Sequence, residues 1–295
     1  MSVYLRQNFT ESDSLMNIRD NNSSKVALVT GASSGIGKAI AFQLIEDGLT
    51  VYVAARRIEK MRDLKQRGAI ALKMDITQDN DVKRVVERIE SNDNSVDILV
   101  NNAGYALYGA VEDTLIDDAR RQFEVNLFGL ANLTKSVLPS MRVKKSGKII
   151  NISSIGGKIY SPLGSWYHAT KHALEGWSDC LRLELEPFNV DVVVIEPGGI
   201  KTEFGDVMLA PMMKRSGNSA YSATAEKMKQ IIKSYEEPGN ASDPSVIARV
   251  VSQAIKAKRP KTRYATGKLA LPLLFMRKWL GDRIFDKIIM SVGRS

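Results

Sequence analysis

The amino-acid sequence predicts a three-layer α/β domain built on a doubly wound parallel sheet, with a helical C-terminal extension. Apolar runs of strand length alternate with segments of helical periodicity, which is typical of βαβ units. Several runs are continuously apolar, as expected where helices cover both faces of a sheet. A glycine-rich turn joins the first run directly to the first helical segment. At 295 residues and 44% hydrophobic composition, the chain can bury the core of one such domain.

Six apolar runs are predicted to be the strands of the sheet. They are residues 26–30, 50–55, 69–74, 96–101, 148–153 and 190–196. Helical segments are predicted between them at 35–46, 80–89, 117–141 and 166–186. Because crossover connections between parallel strands are almost always right-handed, this alternation predicts helices on both faces of the sheet.

The chain is expected to divide into one domain and two extensions. Residues 25–265 form the domain, whose pattern loosens at about 203–243, where Met208, Met212 and Met213 cluster. Met-rich helices usually belong to a core, and an adaptable apolar lid is the second interpretation. Residues 1–24 are polar and lack a continuous apolar core, so a flexible extension is predicted and not a signal peptide. Residues 266–295 form a basic, amphipathic C-terminal extension.

Positive charge is concentrated at the C-terminal end. The formal net charge is +9, and residues 256–295 hold 11 Lys or Arg against Asp282 and Asp286, so the rest of the chain is neutral. This distribution argues against a basic surface across the fold, and no nucleic-acid partner is predicted. One cysteine and two histidines provide neither a disulfide nor a metal cluster, so no metal is predicted. A single cysteine fits a reducing compartment, and a cytoplasmic location is expected.

The glycine-rich turn has the character of a dinucleotide site. It reads Thr30-Gly31-Ala32-Ser33-Ser34-Gly35-Ile36-Gly37, between the first strand and the first helix. Glycines let backbone N–H groups approach a pyrophosphate, and the helix N-terminus adds the positive end of its dipole. The start of the first helix is therefore predicted to hold the phosphates of a dinucleotide.

A tyrosine and a lysine four residues apart form the second motif. Tyr167 and Lys171 share one face of the predicted helix 166–186, and Ser154 lies 13 residues before Tyr167. An ammonium group beside a phenol favours the phenolate, which suits a tyrosine that transfers a proton. The spacing alone is a weak signal. Combined with the glycine-rich turn, it indicates proton-transfer chemistry beside a dinucleotide.

With these motifs in order, the sequence resembles the short-chain dehydrogenase/reductase family, in its ordinary-length branch, over roughly residues 24–263. The matching residues are TGxxxGxG at 30–37, Asn101-Asn102-Ala103-Gly104, Asn126, Ser154, Tyr167 with Lys171, and Pro197-Gly198 followed by Thr202. Residues 167–176 look like the steroid and retinol dehydrogenase-like members. The resemblance implies the Rossmann fold and hydride transfer between a nicotinamide and a carbonyl or alcohol.

The resemblance also implies roles for the catalytic residues. Tyr167 is expected to supply the proton, Ser154 to hydrogen-bond the substrate oxygen, and Asn126 to hold a water in a proton path to Lys171. Function near neutral pH requires the pKa of Tyr167 to fall by roughly two to three units, with Lys171 and the oxidised nicotinamide as the responsible cations. Ser153 competes with Ser154 for its role. The family's 13-residue offset and the alternation of side chains along a strand favour Ser154.

The residues after the second predicted strand indicate which nicotinamide cofactor is used. Ala54-Ala55-Arg56-Arg57 offers no carboxylate for the ribose 2′-hydroxyl of NAD. A guanidinium can bind a 2′-phosphate, so NADP(H) is expected, with Arg56 the favoured contact. An arginine at an exposed strand end without a ligand is the alternative.

The resemblance implies further cofactor contacts. The complete predicted set is Gly31, Ser33, Ser34, Gly35, Ile36, Gly37, Arg56, Asp75, Ile76, Asn102, Ala103, Gly104, Tyr167, Lys171, Pro197, Gly198, Ile200 and Thr202. Asp75 and Ile76 would flank the adenine, Asn102 the adenosine ribose, and Ile200 with Thr202 the nicotinamide amide. For Asp75, a loop or helix-capping carboxylate is the alternative. Asn101 is interpreted as structural.

A small apolar carbonyl compound, or a primary or secondary alcohol, is the expected substrate. Apolar side chains are expected around the pocket at Ile155, Leu163, Trp166, Ile200, Phe204 and Met208. His168 and His172 flank the motif without an evident acidic partner and are interpreted as non-catalytic. The alternatives are a dehydratase or isomerase on the same fold and a cofactor-sensing regulator without turnover. The complete set of Asn126, Ser154, Tyr167 and Lys171 favours hydride transfer.

Two long helices and the tail suggest larger partners. The helices 117–141 and 166–186 carry apolar residues beyond what one sheet face needs, at Phe123, Leu127, Leu130, Trp177, Leu181 and Leu185. Relatives often pair these helices, so a homodimer or homotetramer is expected. In the tail, Trp279, Leu280, Ile284, Phe285, Ile288 and Ile289 recur at helical spacing among basic residues. This helix is expected either to pack on the substrate end or on a partner subunit, or to lie peripherally on an anionic membrane.

Overall fold

Seven parallel strands form one sheet in the computed structural model, which describes residues 24–291 apart from the side chains of Phe204 and Asp206. The strands are β1 (Val26–Thr30), β2 (Thr50–Ala55), β3 (Ile70–Lys73), β4 (Ile98–Asn101), β5 (Gly147–Ile152), β6 (Val190–Pro197) and β7 (Arg263–Thr266). Their order across the sheet is β3-β2-β1-β4-β5-β6-β7. The predicted doubly wound Rossmann sheet is thus confirmed. The predicted flexible extension lies outside the described residues, except for Ser24.

Helices cover both faces of this sheet. They are α1 (Gly35–Glu46), α2 (Arg62–Gln66), α3 (Asp79–Asp93), α4 (Ile116–Phe123), α5 (Gly129–Lys144), α6 (Ser165–Leu185), α7 (Phe204–Ser216), α8 (Ser222–Ser234), α9 (Ser245–Lys256), α10 (Ala270–Trp279) and α11 (Gly281–Ser291). One apolar cluster joins α1 and α9 to the sheet, for example through Leu44 and Val251. A second cluster joins α3, α5 and α6 to the opposite face, for example through Val85, Val137 and Leu181.

The predicted helix 117–141 is longer than expected and is interrupted by a π-helical turn. The helical run extends from α4 to α5, and the turn occupies Glu124–Phe128. A π-turn inserts an extra residue and is frequent at functional sites. Asn126 lies within it and is almost completely buried.

The connections of the sheet reverse direction between β1 and β4, and a threonine hydroxyl ties the two strands together there. Thr30 Oγ1 donates to the carbonyl of Val100 at 3.3 Å and accepts from the N–H groups of Asn102 and Ala103, both at 3.0 Å. In open α/β sheets, ligands bind beyond the carboxyl ends of the strands at this reversal. The glycine-rich turn and Asn101-Asn102-Ala103-Gly104 are therefore held side by side where a ligand is expected.

Residues 203–243 contain α7 and α8, and their methionines pack inward. Met208 and Met212 are buried in a cluster with Tyr167, Met228 and Ile232. The core interpretation of these methionines is thus supported, and the same cluster includes Tyr167. The edge strand β7 was not predicted, because its four residues begin with an arginine and are only half-buried.

The tail helices pack on the substrate end of the domain through one face. Phe285 and Ala270 are buried in a cluster with Ile155 and Ile159. The expected packing is thus observed for this face, although Trp279 and Ile284, placed on the same apolar face by the sequence pattern, are 65% and 53% exposed. Each of the two tail helices, α10 and α11, therefore carries both buried and exposed apolar side chains. Among residues 24–291, no helix is long and apolar enough to cross a membrane.

Half of the apolar residues that were expected to pair two subunits are buried inside the chain itself. Leu130, Leu181 and Leu185 are buried within the chain itself, the last two in the cluster beneath α6. They are needed to cover the sheet, so the sequence overestimated the apolar surplus of these helices. Leu115 and Phe128, which were not proposed, are 71% and 53% exposed near α4 and α5.

Candidate active site

Two cavities meet above the carboxyl ends of the central strands. The smaller, of about 280 Å³, follows the glycine-rich turn, and we call it the cofactor cavity. The larger, of about 540 Å³, lies beneath α8 and the tail helices, and we call it the substrate cavity. Five residues line both, namely Ser154, Tyr167, Gly198, Ile200 and Thr202. Two of the predicted catalytic residues therefore stand where the cavities join.

Two glycines of the glycine-rich turn leave no room for a side chain. Gly31 has a φ of +66°, and a Cβ on it would lie 2.9 Å from the Cα of Ala103. A Cβ on Gly37 would lie 2.3 Å from Nδ2 of Asn102, which donates to the carbonyl of Thr30 at 2.9 Å. The N-cap Ser34 makes no side-chain capping bond, so the first N–H groups of α1 remain for another acceptor. This arrangement fits a pyrophosphate.

Most of the predicted cofactor contacts come together around the cofactor cavity. They are Gly31, Ser34, Gly35, Ile36, Arg56, Asn102, Ala103, Gly104, Tyr167, Lys171, Pro197, Gly198, Ile200 and Thr202. Ser33, Gly37, Asp75 and Ile76 do not line it. The Asp75 carboxylate accepts from the N–H and hydroxyl of Thr77 at 3.1 and 2.8 Å, and Ile76 is buried in the core. The geometry of Asp75 matches its alternative as a loop carboxylate, and its contact with adenine stays a prediction.

Two guanidinium groups stand at the end of β2. Arg56 and Arg57 are exposed and both line the cofactor cavity. Arg57 Nη2 donates to the Ser33 hydroxyl at 3.4 Å, so it reaches the glycine-rich turn. The acidic residue lining this cavity is Glu203, after β6 and not at the end of β2. The sequence favoured Arg56 alone, although the doubled arginine already indicated a second candidate.

Ser154 follows β5 and faces both cavities. Its Oγ accepts from the N–H of Gly156 at 3.0 Å, and its side chain hydrogen-bonds to Tyr167. The hydroxyl of Ser153 is instead buried without a hydrogen-bond partner among the described residues, and Ser153 lines only the cofactor cavity. The geometry favours Ser154 for contact with a substrate oxygen.

The phenol of Tyr167 is buried and its ring packs against two other rings. The ring centroids of Tyr108 and His168 lie 6.0 and 5.6 Å from it. Burial raises the pKa of Tyr167, and the hydrogen bond with Ser154 opposes the rise. Lys171 Nζ donates to the carbonyl of Ile152 at 2.8 Å. Burial has the larger effect on the pKa of Tyr167 here, and the expected lowering by Lys171 and an oxidised nicotinamide stays a prediction.

Asn126 uses its side chain to connect three elements. Its Oδ1 accepts from the N–H of Tyr105 at 3.1 Å, while its Nδ2 donates to the Tyr105 carbonyl at 2.9 Å and to Thr170 Oγ1 at 3.1 Å. These bonds fix the loop after β4 against α6. The side chain thus positions the helix that carries Tyr167 and Lys171, and the predicted water contact remains untested.

His168 has a structural role that fits its non-catalytic interpretation. Its Nε2 accepts from the N–H of Ser161 at 3.1 Å, which leaves the ring hydrogen on Nδ1 to be donated to the Gly156 carbonyl at 2.9 Å. Burial lowers the pKa of His168, so the neutral ring is favoured. Asn101 is structural as well, since its Nδ2 donates to Thr134 Oγ1 at 3.0 Å and Asn151 Oδ1 at 2.9 Å.

A buried glutamate that the sequence reasoning missed lies one helical turn beyond Lys171. Glu175 is 3% exposed and pairs with Lys158 at 3.1 Å and Arg263 at 3.0 Å. Burial lowers the pKa of Lys171 to about 8, and the charge of Glu175 opposes this. The signal in the sequence was the four-residue spacing, which places the carboxylate on the face of α6 shared by Tyr167 and Lys171.

Arg263 contacts three carboxylates in this region. Besides Glu175, it pairs with Asp179 at 2.7 Å and approaches Glu196 to 3.6 Å. Burial has the largest effect on the pKa of Glu196, and the negative charge of Glu175 acts in the same direction. The pKa of Glu196 is raised to about 7. The edge strand is thus attached to α6 by ion pairs. We define the buried ionic cluster as Glu175, Glu196 and Arg263, with the more exposed Lys158 and Asp179 at its rim.

Replacing Glu175 is expected to move the pH profile. In wild type, Lys171 loses its charge as the pH rises through about 8, so kcat/KM is expected to fall there. Glu175→Gln removes the charge that raises the pKa of Lys171, so the alkaline fall should shift to lower pH. Initial rates measured across a pH series test this shift.

Asp179→Asn provides the matched control. Asp179 lies on α6 like Glu175 and also pairs with Arg263, but its side chain is 40% exposed. Its pH profile should keep the alkaline limb of wild type. An unshifted limb in Glu175→Gln would show that Glu175 does not act on Lys171.

The substrate cavity is largely apolar, and only part of its predicted wall is correct. Ile155, Ile200 and Met208 line it, whereas Leu163 and Trp166 do not, and the side chain of Phe204 lies outside the described structure. The sequence missed the walls from distant elements. These include Tyr108, Ile159, Met228, Ile231, Ile232, Tyr235, Leu269, Leu273, Ile289 and Met290. Most lie on α8, α10 and α11, whose place in the fold the strand pattern did not indicate.

The cofactor cavity follows the glycine-rich turn, where the connections of the doubly wound sheet reverse direction, and it joins an apolar cavity at Ser154 and Tyr167. This combination defines a nicotinamide-dependent oxidoreductase. The chain belongs to the short-chain dehydrogenase family, whose model matches residues 25–213. The relatives include a 3-ketodihydrosphingosine reductase of Bacteroides thetaiotaomicron, 36% identical over 89% of this chain and 95% of that protein. An NADPH-dependent 3-dehydrocapnine reductase of Ornithobacterium rhinotracheale is 35% identical over 90% of this chain and 95% of its own.

Solved structures agree with the fold. A short-chain dehydrogenase from Streptomyces avermitilis has a TM-score of 0.76 and 35% identity, covering 91% of this chain and 96% of that one. A serine dehydrogenase complexed with NADP+ has a TM-score of 0.72 and 27% identity, covering 83% and 95%. The family and its fold are thereby established independently of the motifs.

Proposed function

We propose that the protein is an NADP(H)-dependent oxidoreductase that transfers hydride between the nicotinamide and a carbonyl or CH–OH group of an apolar substrate. The observation that carries this proposal is the junction of the two cavities at Ser154 and Tyr167. A group held in the cofactor cavity and a compound in the substrate cavity would both reach these hydroxyls. When bound, the cofactor supplies or accepts the hydride at C4 of its nicotinamide.

The chain's own residues provide the proton and the charge stabilisation. Tyr167 would hold a proton on its phenol oxygen and donate it to the substrate oxygen during reduction. Ser154 would donate a hydrogen bond to that oxygen as negative charge develops. Lys171 would help to keep a proton available near Tyr167, and Asn126 would hold the helix carrying both residues. Because burial raises the pKa of Tyr167, the proposed lowering of this pKa would need the positive charges of Lys171 and of the oxidised nicotinamide.

NADP(H) is the proposed cofactor because Arg56 and Arg57 line the cofactor cavity at the end of β2. A guanidinium there can pair with a 2′-phosphate. The relative named as an NADPH-dependent reductase supports the same choice. The predicted contacts of Asp75 and Ile76 with adenine, of Asn102 with ribose, and of Ile200 with Thr202 remain part of this proposal.

An apolar ketone is the proposed substrate class. The walls contributed by Ile155, Met208, Met228, Ile232 and Leu273 suit a hydrocarbon chain. Two relatives that span nearly the whole chain are named as reductases of 3-keto or 3-dehydro compounds.

We further propose a cytoplasmic homodimer or homotetramer that pairs through the surfaces of α4, α5 and α6.

A substrate screen tests the proposed function. The purified protein, with NADPH or NADH, is mixed with ketones and aldehydes of increasing chain length, and the nicotinamide absorbance is followed. We expect NADPH consumption to rise with chain length, because the cavity walls are apolar. Absence of turnover with every carbonyl, together with tight NADPH binding, would instead favour a cofactor-sensing protein.

A further inference from the structure

The outer face of the tail is apolar where it meets solvent. Leu271, Phe275 and Trp279 are four residues apart on α10 and are 66%, 64% and 65% exposed. The rings of Phe275 and Trp279 lie 6.4 Å apart, so the three side chains form one stripe. Ile284 on α11 is 53% exposed. We define the tail face as these four side chains, and its exposure means that folding alone does not use it.

The tail face is rigidly placed, because the other side of the same helices is anchored. Phe285 is fully buried and stacks edge-on against Tyr160 at 5.4 Å. The Tyr160 hydroxyl donates to Asp286 at 2.8 Å, and the Arg277 guanidinium lies 5.1 Å from the Tyr160 ring. A stripe held in this way costs little ordering entropy when it binds a partner.

The charges around the tail face select an anionic partner. Lys268, Lys278, Arg283 and Lys287 are exposed, and within residues 24–291 none of them takes part in an ion pair. The two acidic residues of the tail are already engaged, Asp282 with Arg277 at 2.5 Å and Asp286 with Tyr160. An apolar stripe flanked by basic groups is the pattern of a helix lying at an anionic bilayer. A second copy of this chain would instead bring like charges together.

The substrate cavity opens at the same place. Leu269, Leu273, Ile289 and Met290 of the tail line the cavity opposite Ile231 on α8. Leu269 and Met290 are also 49% exposed, so they belong both to the cavity wall and to the outer surface. A hydrocarbon chain leaving a bilayer at this point would pass along apolar side chains toward Tyr167.

We propose that the tail face docks on an anionic lipid bilayer and that the substrate cavity takes a long-chain amphiphilic ketone or alcohol directly from it. The docking part stands on the exposed stripe and the surrounding charges. The substrate part rests on the proposed function of the two cavities.

Flotation of the full-length protein with vesicles tests the docking. We expect it to float with vesicles of equal parts phosphatidylglycerol and phosphatidylcholine at low salt, and to stay below with phosphatidylcholine alone. High salt should release it, since the attraction is electrostatic. Each basic residue near such a surface contributes about five-fold in partitioning, so Lys278→Gln with Lys287→Gln should weaken binding by about 25-fold. Lys135→Gln on α5 is the control and should float like wild type.

Leu271→Ser with Phe275→Ser removes most of the stripe without touching the cavity wall. This variant should lose flotation, whereas Leu183→Ser, which alters a leucine that is 67% exposed on α6, should retain it. Wild type remaining in the soluble fraction on anionic vesicles at low salt would overturn the proposal. So would a wild-type dimer that the stripe variant converts to a monomer, since a second copy would then cover the tail face.

Activity measurements on the stripe variant and on wild type test membrane docking separately from the proposed function. The stripe variant should keep wild-type turnover of a short, water-soluble ketone and lose at least about ten-fold in turnover of a long-chain ketone presented in anionic vesicles, as expected if binding limits access. Equal rates on the vesicle-borne ketone would overturn delivery from the membrane. Flotation without turnover of any carbonyl would leave the docking supported and show that the proposed function is wrong.

Discussion

Tyr167→Phe is expected to lower kcat by roughly 10²- to 10⁴-fold, the contribution usually attributed to a positioned general acid. The substitution removes only the phenol oxygen, and the ring would remain packed against Tyr108 and His168. NADPH binding, followed by fluorescence, should therefore change little while turnover of a ketone is lost. A variant with wild-type turnover would show that Tyr167 is not the proton donor.

Tyr52→Phe controls for the loss of a buried tyrosine hydroxyl. The Tyr52 hydroxyl donates to Asp93 at 2.5 Å on the far side of β2, and Tyr52 does not line either cavity. We expect this variant to unfold at a lower temperature with kcat unchanged. The comparison separates catalysis from stability.

Arg56→Ala is expected to weaken the binding of NADPH at least about ten-fold relative to the binding of NADH, because a charge-assisted phosphate contact is lost. Arg57→Ala decides between the two neighbours, since Arg57 already donates to Ser33 at 3.4 Å. Arg67→Ala, an exposed arginine after α2, is the control for a general loss of positive charge. Dissociation constants for both cofactors give the result. A wild type that prefers NADH would refute the interpretation of Ala54-Ala55-Arg56.

The parts of the fold that could be predicted are those whose pattern is local. The five central strands β1, β2, β4, β5 and β6 are rich in apolar residues, and the glycine-rich turn indicated the order of strand, turn and helix. The edge strand β7 was missed because a short, half-buried strand carries little apolar signal. The π-turn at Glu124–Phe128 was missed because nothing in its composition distinguishes it from an ordinary helix.

The candidate site divides in the same way. Ser154, Tyr167 and Lys171 are separated by fixed spacings along adjoining elements, so the sequence placed them together. Glu175 was overlooked because its importance comes from Arg263, 88 residues away along the chain. The walls of the substrate cavity come from α8 and the tail, and only tertiary packing shows that these helices approach Ser154. The pKa of Tyr167 could not be deduced either, since burial of the phenol depends on the complete fold.

The buried ionic cluster sets a lower limit on how far the chain can be shortened. The family match ends at residue 213, yet Arg263 neutralises Glu175 and Glu196, which are 3% and 4% exposed. A fragment ending at 213 would leave Glu175 to pair with Lys158 and would leave Glu196 without the guanidinium, and unpaired buried charge typically costs several kcal/mol. The part of the chain that the family model matches is therefore not expected to fold on its own. Grafting this site onto another scaffold would have to bring β7 along with α6.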